Sequence, residues 1–290
     1  MKSRNVFLPL VSMVLALACW SHPRAQSDPF TTIDFPGATN TGVTGLNDDG
    51  QIVGVYEDAA GQGHGFLLSG DTFTTIDGPG GQSIGPTAIN AFGQIVGSYV
   101  GSDFRSHGFL RSEDTFATID FPGATLTQAW GINDAGQIVG MYVDVASVSH
   151  GFLLDGESFT TIDPPGALST SATGINAAGQ IVGRSFVEGI GLRAFLLDGG
   201  VFTLLIDVDV NGCCLWVGGN NDFGQIVGYY VVSDDFPRHV AFLLDGDTVT
   251  TFRFPVYTDT WAYKINNRGQ IVGGYQELNY RVHGFLFTPN

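Results

Sequence analysis

The sequence predicts an all-β fold, a six-bladed β-propeller with four short antiparallel strands per blade, and three observations carry that prediction. A unit of 43 to 45 residues occurs six times, each unit holds four strand-like segments, and each chain end lacks a strand that the other end supplies.

The repeat is marked by Gly-Gln-Ile-Val-Gly, beginning at Gly50, Gly93, Gly136, Gly179, Gly224 and Gly269, with an asparagine three residues before each copy. Those asparagines are Asn47, Asn90, Asn133, Asn176, Asn221 and Asn266. A segment like His-Gly-Phe-Leu-Leu (His64 to Leu68) follows, and in every unit but the last it leads to one like Phe-Thr-Thr-Ile-Asp (Phe73 to Asp77).

The first complete unit therefore reads as strand a (Val43 to Leu46), b (Gln51 to Tyr56), c (His64 to Leu68) and d (Phe73 to Asp77). Asn-Asp-Asp-Gly and Ser-Gly-Asp-Thr are the hairpin turns from a to b and from c to d. Glycine, threonine, valine and isoleucine dominate over lysine and methionine, and no stretch has a useful helical period.

Closure follows from the offset. A lone strand d, Phe30 to Asp34, precedes the first unit, and the last strand c, His283 to Phe287, has no d of its own. In a ring the first strand completes the last blade and removes two exposed edges. An open β-solenoid of six repeats is the alternative, and it gives no reason for the offset.

The same hairpin register makes a finer prediction. With Leu68 facing Phe73, His64 lies opposite Asp77, and the equivalent pairs are His107 with Asp120 and His150 with Asp163. A ring requires His283 to find Asp34. The fourth unit has Arg193 and Asp207 instead, and the fifth loses both members, with Val240 and Arg253. These histidines read as structural, because each has a carboxylate partner and four copies spread around a ring do not converge on one ion.

His64-Gly65-Phe66, His107-Gly108-Phe109, His150-Gly151-Phe152, Ala194-Phe195, Ala241-Phe242 and His283-Gly284-Phe285, beside the Asn-x-x-Gly-Gln-Ile-Val-Gly segments, resemble the HAF-repeat family of bacterial extracellular proteins. The resemblance covers nearly the whole chain after its leader. It implies an extracellular repeat protein and no particular activity.

Lys2 and Arg4 precede an apolar run from Val6 to Ala18, so residues 1–25 read as a signal peptide and 26–290 as the propeller domain. Cleavage before Cys19 or after Ala25 both fit, and Cys19 raises lipidation as an alternative to soluble export. The expected location is extracellular or periplasmic, with no membrane span in the mature chain and no sorting tail. Losing Lys2, Arg4 and Arg24 takes the formal charge from −16 to −19. That acidity repels phosphate backbones, so nucleic acid is not an expected partner.

Turns a to b and c to d are nearly uniform among the units, whereas the d to a and b to c connections, on the opposite face, vary. The fifth unit departs most, over Val208 to Gly218 with Cys213, Cys214 and Trp216, and over Val231 to His239 with Asp234, Asp235 and Arg238. The sixth adds Tyr257, Trp261, Tyr263 and Lys264. Aromatic faces flanked by acids and bases make these eight residues outside the cysteines the candidate ligand-binding patch, and carbohydrate or another extracellular ligand its expected partner. The competing reading is that the bulky residues plug the channel.

A bridge between adjacent Cys213 and Cys214 is strained, so free or differently paired thiols are expected. No metal-ligand spacing or catalytic motif of the common hydrolase types is present, and no cofactor is expected, with calcium the one open possibility. A binding module is the leading function. A hydrolase or lyase using carboxylates such as Asp234 and Asp235 over the channel is one alternative, and an interaction scaffold the other.

Overall fold

The computed structural model describes residues 29–79, 84–205, 215–232, 238–254 and 259–289. The strands are β1 (Phe30–Ile33); β2 (Asn40–Leu46), β3 (Ile52–Glu57), β4 (Gly63–Ser69) and β5 (Thr72–Ile76) in blade 1; and β6 (Ile84–Ile89), β7 (Ile95–Val100), β8 (Ser106–Ser112) and β9 (Thr115–Ile119) in blade 2. Blade 3 holds β10 (Leu126–Ile132), β11 (Ile138–Val143), β12 (Ser149–Asp155) and β13 (Ser158–Ile162). Blade 4 holds β14 (Ala167–Ile175), β15 (Ile181–Val187), β16 (Gly191–Asp198) and β17 (Val201–Leu205). Blade 5 holds β18 (Leu215–Asn220), β19 (Ile226–Val232), β20 (Arg238–Asp245) and β21 (Thr248–Phe252). Blade 6 holds β22 (Asp259–Ile265), β23 (Ile271–Gln276) and β24 (Val282–Phe287).

Each blade is a four-stranded antiparallel meander, and β1 is the fourth strand of blade 6. Thr32 pairs with Phe285, as ring closure demands, so the solenoid alternative is excluded. Strand d ends one residue earlier than predicted, at Ile76 in blade 1, because Asp77 leaves the ladder to bond His64.

Every residue of the repeated motif has a physical task. Gly50 turns at φ +80°, a left-handed backbone that glycine adopts without strain. Ile52 and Val53 point to opposite faces of the sheet and are both buried against neighbouring blades. Gly54 leaves room for the carbonyl of Gly42 and the ring of Phe66, and the five equivalent glycines do the same in the other blades. The six phenylalanines of the His-Gly-Phe segments, Phe66 to Phe285, are fully buried. Blades 1 and 2 meet through Val53, Ile76, Ile84, Ile95 and Phe109, and each following interface repeats that pattern.

The asparagines close the ring a second time. Asn47 Nδ2 donates to the carbonyl of Asn90, Asn90 to Asn133, Asn133 to Asn176, Asn176 to Asn221, Asn221 to Asn266, and Asn266 back to Asn47. The donor–acceptor distances are 3.0 to 3.2 Å, and all six residues are buried. Each side chain also holds its own turn: Asn47 Oδ1 accepts from Gln51 N and Nδ2 donates to Gln51 Oε1. What the sequence presents as turn chemistry is therefore an inter-blade hydrogen-bonded belt at one mouth of the channel.

Candidate functional site

The opposite mouth is shaped by one irregularity shared by all six innermost strands. Each carries a bulge, between Val43 and Gly45 in β2 and between Ala262 and Lys264 in β22, which changes which residues face the axis. The bulged positions are Thr44, Thr87, Trp130, Thr173, Gly218 and Tyr263. Two residues earlier in each strand stand Gly42, Gly85, Gln128, Ser171, Trp216 and Trp261. The large side chains thus belong to blades 3, 5 and 6, and the smallest to blades 1 and 2.

On the crowded side the rings form one continuous wall. Trp130 and Trp216 lie with centroids 5.5 Å apart, Trp216 stacks near Tyr229 at 6.2 Å, and Tyr229 meets Tyr263 edge-on at 6.0 Å. His239 bridges Tyr229 and Trp261 at 5.5 and 5.4 Å, and the Arg184 guanidinium sits 4.3 Å over the Trp216 ring. Burial pushes the Tyr263 hydroxyl upward, with Tyr229 adding to the shift.

Beneath this wall a cavity of about 190 Å³ runs along the channel, lined by Trp130, Trp216, Tyr263 and the bulged threonines. Lys264 reaches into it from the position held by Gly45, Ala88, Gly131, Gly174 and Gly219 in the other blades. Its Nζ donates to the carbonyls of Thr173 (2.5 Å) and Gly218 (2.8 Å), and burial pulls its pKa down to about 7. Gly219 makes this possible, since a Cβ there would lie 2.9 Å from Lys264 Cδ.

Across blades 1 and 2 the mouth is open, forming a depression of about 810 Å³. Its floor and sides include Gly42, Thr44, Gly85, Ser98, Gln128 and the edge of Tyr263. Gly42 and Gly85 differ from the glycines of the repeated motif. A Cβ at Gly85 would have Ser98 O as its nearest neighbour, at 3.9 Å, and one at Gly42 would make an ordinary 3.5 Å contact with Val55. Neither has a left-handed backbone. Sterics do not require glycine at these two positions, and its consequence is the open space itself. Polar groups border that space: Asn40, which bonds Glu57 at 2.8 Å, and Tyr56, Tyr99 and His64.

The predicted histidine pairs are all present. Nδ1 lies 2.9 Å from a carboxylate oxygen in His64–Asp77 and His283–Asp34, 2.8 Å in His107–Asp120 and 2.7 Å in His150–Asp163. Each Nε2 faces a second acid from the b to c loop: Asp58 at 3.5 Å, Asp103 at 3.1 Å, Asp144 at 3.5 Å and Glu277 at 3.6 Å. A tyrosine stacks on every one of these imidazoles. In blade 5, where the sequence shows both partners lost, His239 replaces the interaction from the other sheet face by bonding Asp259 of blade 6 at 3.1 Å.

This arrangement sets a pH dependence. The hydrogen bond to Asp77 raises the pKa of His64, and for His107 burial opposes the charge while bonds to Asp103 and Asp120 outweigh it. Both therefore add stability that is complete below the ordinary histidine value of 6.5 and lost as pH rises through the raised folded pKa. Asp58, bonded by Gln62 N, Asp103, bonded by His107, and Asp144, bonded by Val148 N, are lowered. Their contribution is present above 3.8 and fades as pH falls through their folded values. Thermal unfolding scanned from pH 3 to 9 should show a Tm plateau between those limits, and His107→Gln should flatten its alkaline side. A Tm that climbs steadily past pH 7 in both proteins would contradict this reading.

Of the predicted patch, Trp216, Tyr263 and Lys264 line the same channel cavity, Trp261 meets His239 at the end of the ring wall, and Arg238 is the first residue of β20. Trp216 is corrected from a loop residue to a member of β18, because the ladder with β19 already begins at Leu215, opposite Tyr230, and Trp216 pairs with Tyr229. Likewise the stretch assigned to a loop over Val231 to His239 includes strand at both ends, through Val232 and from Arg238. Asp234, Asp235, Tyr257, Cys213, Cys214, Asp207, Cys19 and the leader lie outside the described residues. Trp130, Tyr229, Arg184 and Gln128 were not singled out in the sequence. Comparing register positions across the six units exposes Trp130, which stands where three others have threonine, Gln128, which stands where two others have glycine, and Arg184 and Tyr229, which share one position in the second strand of their blades.

Among the described residues no group of three or more His, Cys, Asp or Glu side chains is placed to hold a metal ion, and no helix is long and apolar enough to cross a membrane.

No family model matches the chain, and no curated protein does. Solved structures do. A mutant of the lectin from Aleuria aurantia, in complex with Fucα1-6GlcNAc, is 14% identical over 88% of this chain and 93% of its own, with a TM-score of 0.51. A triple mutant of AofleA from Arthrobotrys oligospora is 10% identical over 89% and 86%, at 0.55. TolB from Acinetobacter baumannii is 13% identical over 83% of this chain and 64% of its own length, at 0.53. At these identities the likeness is one of fold: the chain is built as a six-bladed propeller.

Proposed function

We propose that this protein is an exported carbohydrate-binding module whose ligand enters the open depression over blades 1 and 2 and packs against the Tyr263 edge of the aromatic wall. The observation that carries the reading is the pair Gly42 and Gly85, which keep 810 Å³ open without any steric demand from the fold. A volume of that size lies within the range of small-ligand sites. Aromatic rings beside amide, carboxylate and hydroxyl groups suit sugars, whose rings carry apolar C–H faces and polar edges. The Aleuria aurantia lectin, bound to a fucosylated disaccharide, uses the same architecture for such a task. The export half of the proposal rests on the leader read in residues 1–25.

The test is a glycan array probed with the wild type and with Gly85→Trp, each with and without calcium. Gly85→Trp has free space at its Cβ, so the blade should fold while the indole fills the depression. Glycan signals that fall at least tenfold in the variant support the site. Equal signals in both proteins, or no glycan bound by the wild type, would overturn it.

A further inference from the structure

The b to c loops of blades 6, 1, 2 and 3 close with the same turn. Gly61 N donates to Asp58 O at 3.1 Å, Phe104 N to Gly101 O at 3.0 Å, Ser147 N to Asp144 O at 3.1 Å and Tyr280 N to Glu277 O at 2.9 Å. The closing residue is left-handed in all four, with φ of +79°, +61°, +65° and +67°. The turn is common to these loops; what sets apart the two blades flanking blade 1 is that a phenylalanine and a tyrosine, which disfavour that backbone, take the slot filled by glycine in blade 1 and serine in blade 3. Packing does not hold these two rings, because Phe104 is 86% and Tyr280 81% exposed. Two large rings are thereby held out in solvent by the turn and not by contacts with the core.

Their placement relates them to the depression. Gly61 itself lines it, and so do Ser106 and Val282, each two residues beyond one of the exposed rings. The rings thus stand on either side of blade 1 at the rim of the open space. A protein partner would favour one contiguous apolar patch, whereas two separate ring platforms with an open depression between them fit a linear chain that stacks a sugar on each.

Resting on the carbohydrate reading above, we propose that the ligand is an extended oligosaccharide, with Phe104 and Tyr280 as outer stacking platforms that make affinity depend on chain length. The glycan array, sorted by chain length from monosaccharides to hexasaccharides, tests this with wild type, Gly85→Trp and the double variant Phe104→Gly/Tyr280→Gly. Glycine relieves the left-handed strain, so the double variant should fold, which a thermal melt verifies.

The wild type should bind the longer members of its glycan class at least tenfold better than the shortest, and the double variant should lose that preference. Equal binding of short and long glycans by the wild type, or a length preference that survives in the double variant, overturns the platforms while leaving the depression intact. A double variant that keeps its glycan profile but loses a protein partner overturns them as well. A wild type that binds no printed glycan refutes the carbohydrate reading and this extension together.

Discussion

Gly97→Ala should lower the stability of the propeller by about 4 kcal/mol or more. A Cβ at Gly97 would overlap the carbonyl oxygen of Gly85 and approach Phe109 Cε1 and Pro86 Cα to 2.8 Å. Two of those three neighbours are backbone atoms of β6, held by their own ladder to β7. The third belongs to a fully buried ring wedged into the next interface. No neighbour can move without breaking a strand or a core. Gly85→Ala, twelve residues away in the same blade, is the matched control and should change stability by less than about 0.5 kcal/mol, because its nearest neighbour would be 3.9 Å away. Urea unfolding of the two variants separates a glycine required by close approach from one that only leaves space.

Asn266→Ala should cost about 3 kcal/mol. The side chain is 5% exposed and makes four hydrogen bonds: Nδ2 to Asn47 O (3.1 Å) and Gln270 Oε1 (2.9 Å), and Oδ1 from Arg268 N (3.0 Å) and Gln270 N (2.9 Å). Its removal leaves partners in a buried belt without their bonds, and an unsatisfied buried group costs more than a hydrogen bond nets. Asn266→Asp should be no better, since it loses the amide donor and sets a carboxylate against the Asn47 carbonyl. Asn279→Ala, in an exposed loop, should be nearly silent by the same denaturant measurement.

The ring, the blade size and the four histidine pairs were legible because tandem copies supply their own register: once Leu68 faces Phe73, His64 must face Asp77, and the offset ends leave Asp34 for His283. The site was less legible, for physical reasons. Strict alternation misassigns the axis-facing residues of the innermost strands, since the bulge after Val43 makes Thr44, Trp130 and Tyr263 line the channel. Asn47 and its copies look like turn residues because they are, and their second bond, to a blade 43 to 45 residues away or, for Asn266, 219 residues away, leaves no local signature. In the sequence, bulky residues that depart from the repeat stand out in blades 5 and 6. There the rings pack on one another, and the space lies opposite, where Gly42 and Gly85 are conspicuous only for what they lack.

Ring closure by β1 is the claim on which the two faces, the asparagine belt and the depression all depend. A protein spanning residues 26–290 with Cys213 and Cys214 changed to serine, and with Thr31→Cys and Leu286→Cys, examines it most directly. These positions are direct partners in the β1–β24 ladder, which places their Cα atoms roughly 4.5–5.5 Å apart, within disulfide reach. Mild oxidation should give a monomer with one internal bridge joining its two ends, faster on a non-reducing gel and higher in Tm than its reduced form. Thiols that stay free, or that link separate molecules only, would contradict a closed ring.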